Sequence, residues 1–186
     1  MNITIFCGAN SGKNPIYAQK TQALAAWMAD NKHSLVFGGG KVGLMGILAD
    51  SLIAAGCETI GVMPTFLKER EIAHTGLSQL IVVEDMPSRK AKLMSLGQVF
   101  IALPGGPGTL EEISEVISWS RIGQNDKPCL LFNVNGYFDP LKKQFDHMVE
   151  EGFLSQEDRD KVLFTDNLDE IEAFIQNYQA PQVRKY

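Results

Sequence analysis

The chain has 186 residues, 45% of them hydrophobic, which is enough for one domain with a full core and too short for two comfortable ones. Its formal charge of -5 comes from 22 acidic against 17 basic residues with no basic block, which argues against an extended nucleic-acid surface but leaves room for a locally positive anion site. Cys7, Cys57 and Cys129 are far apart with no C-x-x-C pair, and His33, His74 and His147 match no H-E-x-x-H spacing, so reduced thiols and no protein metal site are expected.

Residues 1–6 lack the basic flank and apolar run of a signal peptide, and no later apolar stretch reaches the ~18 residues of a membrane span. The expectation is a cytoplasmic protein with neither a membrane nor a nucleic acid as partner.

Along the chain, short β-branched or aromatic runs predict strands over residues 3–7, 34–37, 59–63, 79–84, 98–103 and 128–134. Most are apolar on both faces, as buried parallel strands are. Helical patterns lie between them. Tyr17, Thr21, Leu24 and Met28 recur at steps of four, three and four, and further helices are predicted over 43–56, 87–97, 109–122, 139–151 and 168–178, the last carrying Ile171, Phe174 and Ile175. This alternation predicts an α/β fold, a doubly wound, mostly parallel sheet with helices on both faces, in one domain over 1–178 with a polar tail over 179–186.

In such sheets ligands sit beyond the carboxyl ends of the strands. Three strands end in glycine there: Gly8 with Gly12, Gly38-Gly39-Gly40 with Gly43 and Gly46, and Pro104-Gly105-Gly106-Pro107-Gly108-Thr109. Glycine lets backbone N–H groups approach an oxyanion, and a helix N-terminus adds its positive dipole end, so the three loops suggest phosphate. Gly38, Gly40 and Gly43 fit G-x-G-x-x-G, but a dinucleotide site wants an acid at the end of the next strand, and Glu58 stands before it. The run from Gly8 to Lys13 is one residue short of a Walker loop, and Asn14 replaces its Ser or Thr.

Arg89 follows the strand over 79–84 and Glu112 the strand over 98–103. One helix joins these strands, which predicts parallel neighbours that open on the same side and let the two residues converge on one ligand. Arg89 would bind phosphate or ribose oxygens or stabilise developing charge, because guanidinium is no base at ordinary pH. Glu112 would orient water or support a cationic sugar, ionised by the dipole of a first helical turn. The plainer alternative is structural. Thr109-Leu110-Glu111-Glu112 also reads as a T-x-x-E capping box, with Glu112 serving only the Thr109 N–H. Glu111 would complement the dipole, Glu115 would share the face of Glu112, and the plainer alternative for both Arg89 and Lys90 is a solvated helix start.

The chain resembles the lonely-guy (LOG) family of cytokinin riboside 5'-monophosphate phosphoribohydrolases, proteins often mislabelled as lysine decarboxylases. The likeness runs over about residues 3–175. It rests on P-G-G-x-G-T-x-x-E from Pro104 to Glu112, on Arg89-Lys90, on Gly38-Gly39-Gly40 with Gly43-Leu44-Met45-Gly46, and on Gly61-Val62-Met63-Pro64. The resemblance implies a homodimer without cofactor, an AMP-type substrate, Arg89 and Glu112 as the catalytic pair, and hydrolysis of the N-glycosidic bond. Binding residues expected around that pair are Gly8, Gly40, Lys90, Gly105, Gly106, Pro107, Gly108, Thr109 and Glu115.

Pro87, Leu93, Ala9 and Ser120-Arg121 depart from residues common in the family and bear on base preference. A nucleotide carrier without turnover is the alternative from another class. A pyridoxal-dependent decarboxylase is disfavoured, because neither Lys41 nor Lys90 is marked out as a Schiff-base lysine.

Overall fold

In the computed structural model, residues 1–70 and 73–183 are described. Seven parallel strands form one sheet: β1 (Asn2–Phe6), β2 (Ser34–Phe37), β3 (Thr59–Pro64), β4 (Gln79–Val83), β5 (Val99–Ala102), β6 (Cys129–Phe132) and β7 (Val162–Thr165), in the order β4-β3-β2-β1-β5-β6-β7. Helices α1 (Ile16–Asp30), α2 (Gly43–Ala54), α3 (Thr65–Arg70), α4 (Met86–Leu96), α5 (Pro107–Arg121), α6 (Asp139–Glu150), α7 (Gln156–Asp160) and α8 (Leu168–Asn177) complete the α/β fold expected from the sequence. Among the described residues no helix is long and apolar enough to cross a membrane.

Alternation along the strands builds two cores. Ile3, Ile5, Leu35, Phe37, Val99, Ile101, Leu130 and Phe132 join Leu24, Met28, Leu48 and Ile171 on one face. Phe6, Val36, Phe100, Ala102, Cys129 and Leu131 meet Leu93, Ile113, Val116 and Phe145 on the other. Both faces are apolar because both are covered by helices, so the period of two is hidden in near-continuous hydrophobic runs. Each fully buried Leu, Ile or Phe contributes about 1.5–3 kcal/mol relative to exposure.

Three short elements escaped the sequence reading. The edge strand β7 follows a charged stretch and fully buries only Val162. Helix α7 spans five residues, although Ser155 caps it by accepting from the Asp158 N–H at 3.0 Å. Helix α3 buries none of its residues. The tail from Gln179 has no regular structure up to Val183, with Pro181 buried, and residues 184–186 of the expected polar tail lie outside the described residues.

One topological expectation needs correction. β4 and β5 are not neighbours, because β3, β2 and β1 lie between them. The chain winds outward from β1 to the β4 edge, and α4 then returns across β3, β2 and β1 to start β5 on the other side of β1. That reversal creates a topological switch point between β1 and β5, and in such sheets ligands bind in the crevice beyond the carboxyl ends there. The buried Thr4 hydroxyl donates to the Leu93 carbonyl at 3.1 Å and fastens the returning helix to β1.

Candidate active site

A cavity of about 400 Å³ opens at this switch point, in the size range of small-molecule sites. Its walls are the loop after β1, the loop after β5 with the start of α5, and the side chains of Arg89 and Glu112.

Helix α4 delivers the arginine. The Asp85 carboxylate accepts from the Ser88 N–H at 2.8 Å and fixes the helix start, which puts Arg89 one turn in. Arg89 Nε donates to the Val62 carbonyl at 3.2 Å, so the side chain lies across the end of β3. It passes over Gly38, where any Cβ would collide with the guanidinium. Its Nη1 then stands 3.3 Å from Glu112 Oε1, with both side chains largely buried. The two residues converge as expected, but by the route of a helix crossing three strands rather than by adjacent strands.

Helix α5 supplies the glutamate, and here the structure overturns the capping box. Gly106 is the N-cap and Pro107 the first helical residue, so Thr109 is already inside the first turn and Glu112 falls in the second. Glu112 cannot cap Thr109 from there. The dipole acts mainly within the first turn, so it does not set the ionisation of Glu112 either. Burial pushes the Glu112 carboxyl above the ordinary carboxylate range, and the Arg89 guanidinium pulls the other way without cancelling it.

The loop residues divide by task. The Gly8 N–H donates to the Pro104 carbonyl at 3.1 Å, and the Gly8 carbonyl accepts from Leu44 N–H at 3.1 Å, so Gly8 ties three loops together. Gly105 packs against Thr109 and Gly8, whose backbone N would lie 2.9 Å from a Cβ at position 105. The N–H groups of Gly105, Gly106, Gly108 and Thr109 have no protein acceptor among the described residues, while Pro107 has no N–H to offer. These free amides gather at a helix N-terminus, a geometry suited to an anion.

Gly8, Gly105, Gly106, Gly108, Thr109, Arg89 and Glu112 all line the cavity, whereas Gly40, Lys90, Pro107 and Glu115 do not. Gly40 forms an isolated bridge with Ala73. Lys90 Nζ sits 2.9 Å from both Glu111 and Glu115, joining α4 to α5 beside the site. Of the family departures only Ala9 faces the cavity; Leu93 is core, and Arg121 pairs with Asp158 at 3.1 Å. Burial, and then Glu112, push the cavity-lining Cys7 thiol up, which keeps it protonated and poorly nucleophilic.

Sequence reasoning missed Tyr137, although the Asn135-Gly136 turn signal directly after a predicted strand marked its place. Met45, Leu67 and Met86 also wall the cavity, although apolar residues at such positions are more often core than ligand wall.

Residues 45–174 match the family model described as "Possible lysine decarboxylase". The cytokinin riboside 5'-monophosphate phosphoribohydrolase of Rhodococcoides fascians is 42% identical over 95% of this chain and 89% of its own length. Its Arabidopsis thaliana counterpart LOG7 is 39% identical over 95% of this chain and 82% of its own. Among solved structures, the Moco carrier protein of Chlamydomonas reinhardtii has a TM-score of 0.68 at 19% identity, covering 94% of each chain. At that identity the last likeness carries the fold alone. Sequence identity over nearly the whole chain, together with the site at its switch point, places this chain in the lonely-guy family of cytokinin riboside 5'-monophosphate phosphoribohydrolases.

Proposed function

We propose that the chain hydrolyses the N-glycosidic bond of nucleoside 5'-monophosphates, AMP and N6-modified cytokinin riboside monophosphates, to free base and ribose 5-phosphate. The observation that carries this reading is the buried Arg89–Glu112 pair beside a cradle of free amides in one cavity. The amides of Gly106, Gly108 and Thr109 hold the 5'-phosphate, which sets the ribose over Glu112. As the C1'–N bond breaks, its electron pair leaves with the base, and the ionised Glu112 stabilises the oxocarbenium character left on the sugar. Water held by Glu112 adds its oxygen to C1', and the base nitrogen takes up the proton that water releases. Arg89 binds phosphate or ribose oxygens and favours the charged form of Glu112 against burial. The family likeness further supports a cytoplasmic location and a homodimer, and sedimentation of the purified protein tests the dimer.

Purified protein given AMP, isopentenyladenosine monophosphate and the matching nucleosides is expected to release base from the monophosphates and at least about a hundredfold more slowly from the nucleosides, because the phosphate cradle then has no ligand. Equal rates on both would remove the amides from the account.

The pH profile of kcat/KM reads Glu112 in the free enzyme. Its raised pKa places the acid limb above the ~4.3 of an ordinary glutamate. Activity is lost as pH falls through that limb. Replacing Arg89 by Leu removes the counter-pull of the guanidinium and moves the limb to higher pH, in addition to lowering kcat. An unmoved limb would mean that another group titrates.

A further inference from the structure

We propose that Tyr137 is a positioning residue for the phosphate cradle, fixing the peptide plane between Gly105 and Gly106 so that the Gly106 N–H presents to the anion. This rests on the phosphoribohydrolase reading above and assigns a residue to it.

Tyr137 is an unusual aromatic, 42% exposed and yet held at several points. Its hydroxyl donates to the Gly105 carbonyl at 2.6 Å, across 32 residues of chain, from the loop after β6 to the loop after β5. Its ring meets Phe138 edge-on with centroids 5.0 Å apart and Tyr17 at 5.9 Å. The turn that carries it is tightly specified. Asn133 Oδ1 accepts from the Phe138 N–H at 2.7 Å, and Asn133 Nδ2 donates to Asp139 at 2.7 Å. Asn135 and Gly136 both take positive φ, 54° and 68°, so the chain reverses directly in front of Tyr137. Little apolar burial is gained by such a residue, so the hydroxyl contact is the feature left to explain.

The peptide unit supplies the link. No peptide bond among the described residues is cis. In a planar trans unit the carbonyl of one residue and the N–H of the next point in opposite directions. Anchoring the Gly105 carbonyl on Tyr137 therefore aims the Gly106 N–H away from Tyr137, and that N–H has no protein acceptor. Glycine on both sides of this unit leaves its rotation nearly unrestrained by side chains, so a partner outside the loop is needed to hold it. A preoriented donor avoids reorganisation when the anion arrives.

Tyr137→Phe keeps the ring and removes only the hydroxyl. Calorimetry with AMP, ribose 5-phosphate and adenosine is the test, run with and without Tyr137→Phe in a Glu112→Gln background so that AMP is bound without being cleaved. AMP and ribose 5-phosphate are expected to bind about five- to tenfold more weakly to the variant, the effect of one hydrogen bond, with adenosine within about twofold. The melting temperature should stay within about 2 °C, and KM for AMP should rise much more than kcat falls. Phosphorylated ligands binding within about twofold of the Glu112→Gln background would overturn the proposal, as would an equal loss for all three, which marks general distortion. Wild type that binds AMP but releases no base defeats the hydrolase reading and still lets the affinity ratio judge Tyr137. Wild type that does not bind AMP overturns both.

Discussion

Glu112→Gln is expected to lower kcat by about 10²- to 10⁴-fold while the protein stays folded. The amide keeps the size of the carboxyl and an oxygen for Arg89 3.3 Å away, but it cannot carry the negative charge that the oxocarbenium ion and the attacking water need. The stability side has a definite sign. Burial raises the Glu112 pKa, so the ionised form is disfavoured in the folded state relative to the unfolded one. That penalty is absent below the unfolded value of ~4.3 and fully present above the folded value. The variant should therefore melt at or slightly above the wild-type temperature at pH 7.5, and the difference should close as pH falls toward ~4.3. A loss of ~1 kcal/mol with turnover retained would be the behaviour of a capping residue, which its place in the second turn of α5 argues against.

Gly43→Ala is expected to give the largest loss of stability, about 3 kcal/mol or more, together with a raised KM for AMP. Gly43 has φ +61°, a left-handed conformation that costs an alanine about 1–2 kcal/mol. A Cβ there would also strike the backbone of Ala9 and Asn10, which has no rotamer to retreat to. The cavity-lining loop after β1 would have to move, and the cradle with it. Gly56→Ala is the control, since Gly56 has φ +73° but open space where the Cβ would go. Urea unfolding of the pair separates the two terms: the control should lose only the conformational part, about 1 kcal/mol. Equal losses would mean that the loops after β1 and β2 are not interlocked.

Much of this was legible in the sequence, and what was not has physical causes. Strand runs such as 34–37 and 59–63 are apolar on both faces because helices cover both, so the α/β class followed from alternation alone. Arg89 and Glu112 stood out through residue type and position after strands. Their true relation was hidden, because sheet order depends on which way each crossover turns, and nothing in 79–103 reveals that α4 returns across three strands. The glycines were read as phosphate contacts. Gly8 and Gly43 turn out to be joints where backbones touch, a distinction that composition does not carry. Thr109-Leu110-Glu111-Glu112 matched a capping box, yet Pro107 at the first helical position had already started α5 two residues earlier. Tyr137 could have been found by applying the rule of strand ends to β6 as well as to the glycine-bearing strands.

The central claim is that this cavity breaks the bond between ribose and base rather than merely holding a nucleotide. Its most direct measurement is wild-type protein incubated with AMP and followed by chromatography of every product. Adenine and ribose 5-phosphate should appear together in equal amounts, and Glu112→Gln should stop both. Nucleotide bound by the protein and recovered intact, with no adenine formed from AMP or from its N6-substituted relatives, would contradict the account and leave a carrier in place of a hydrolase.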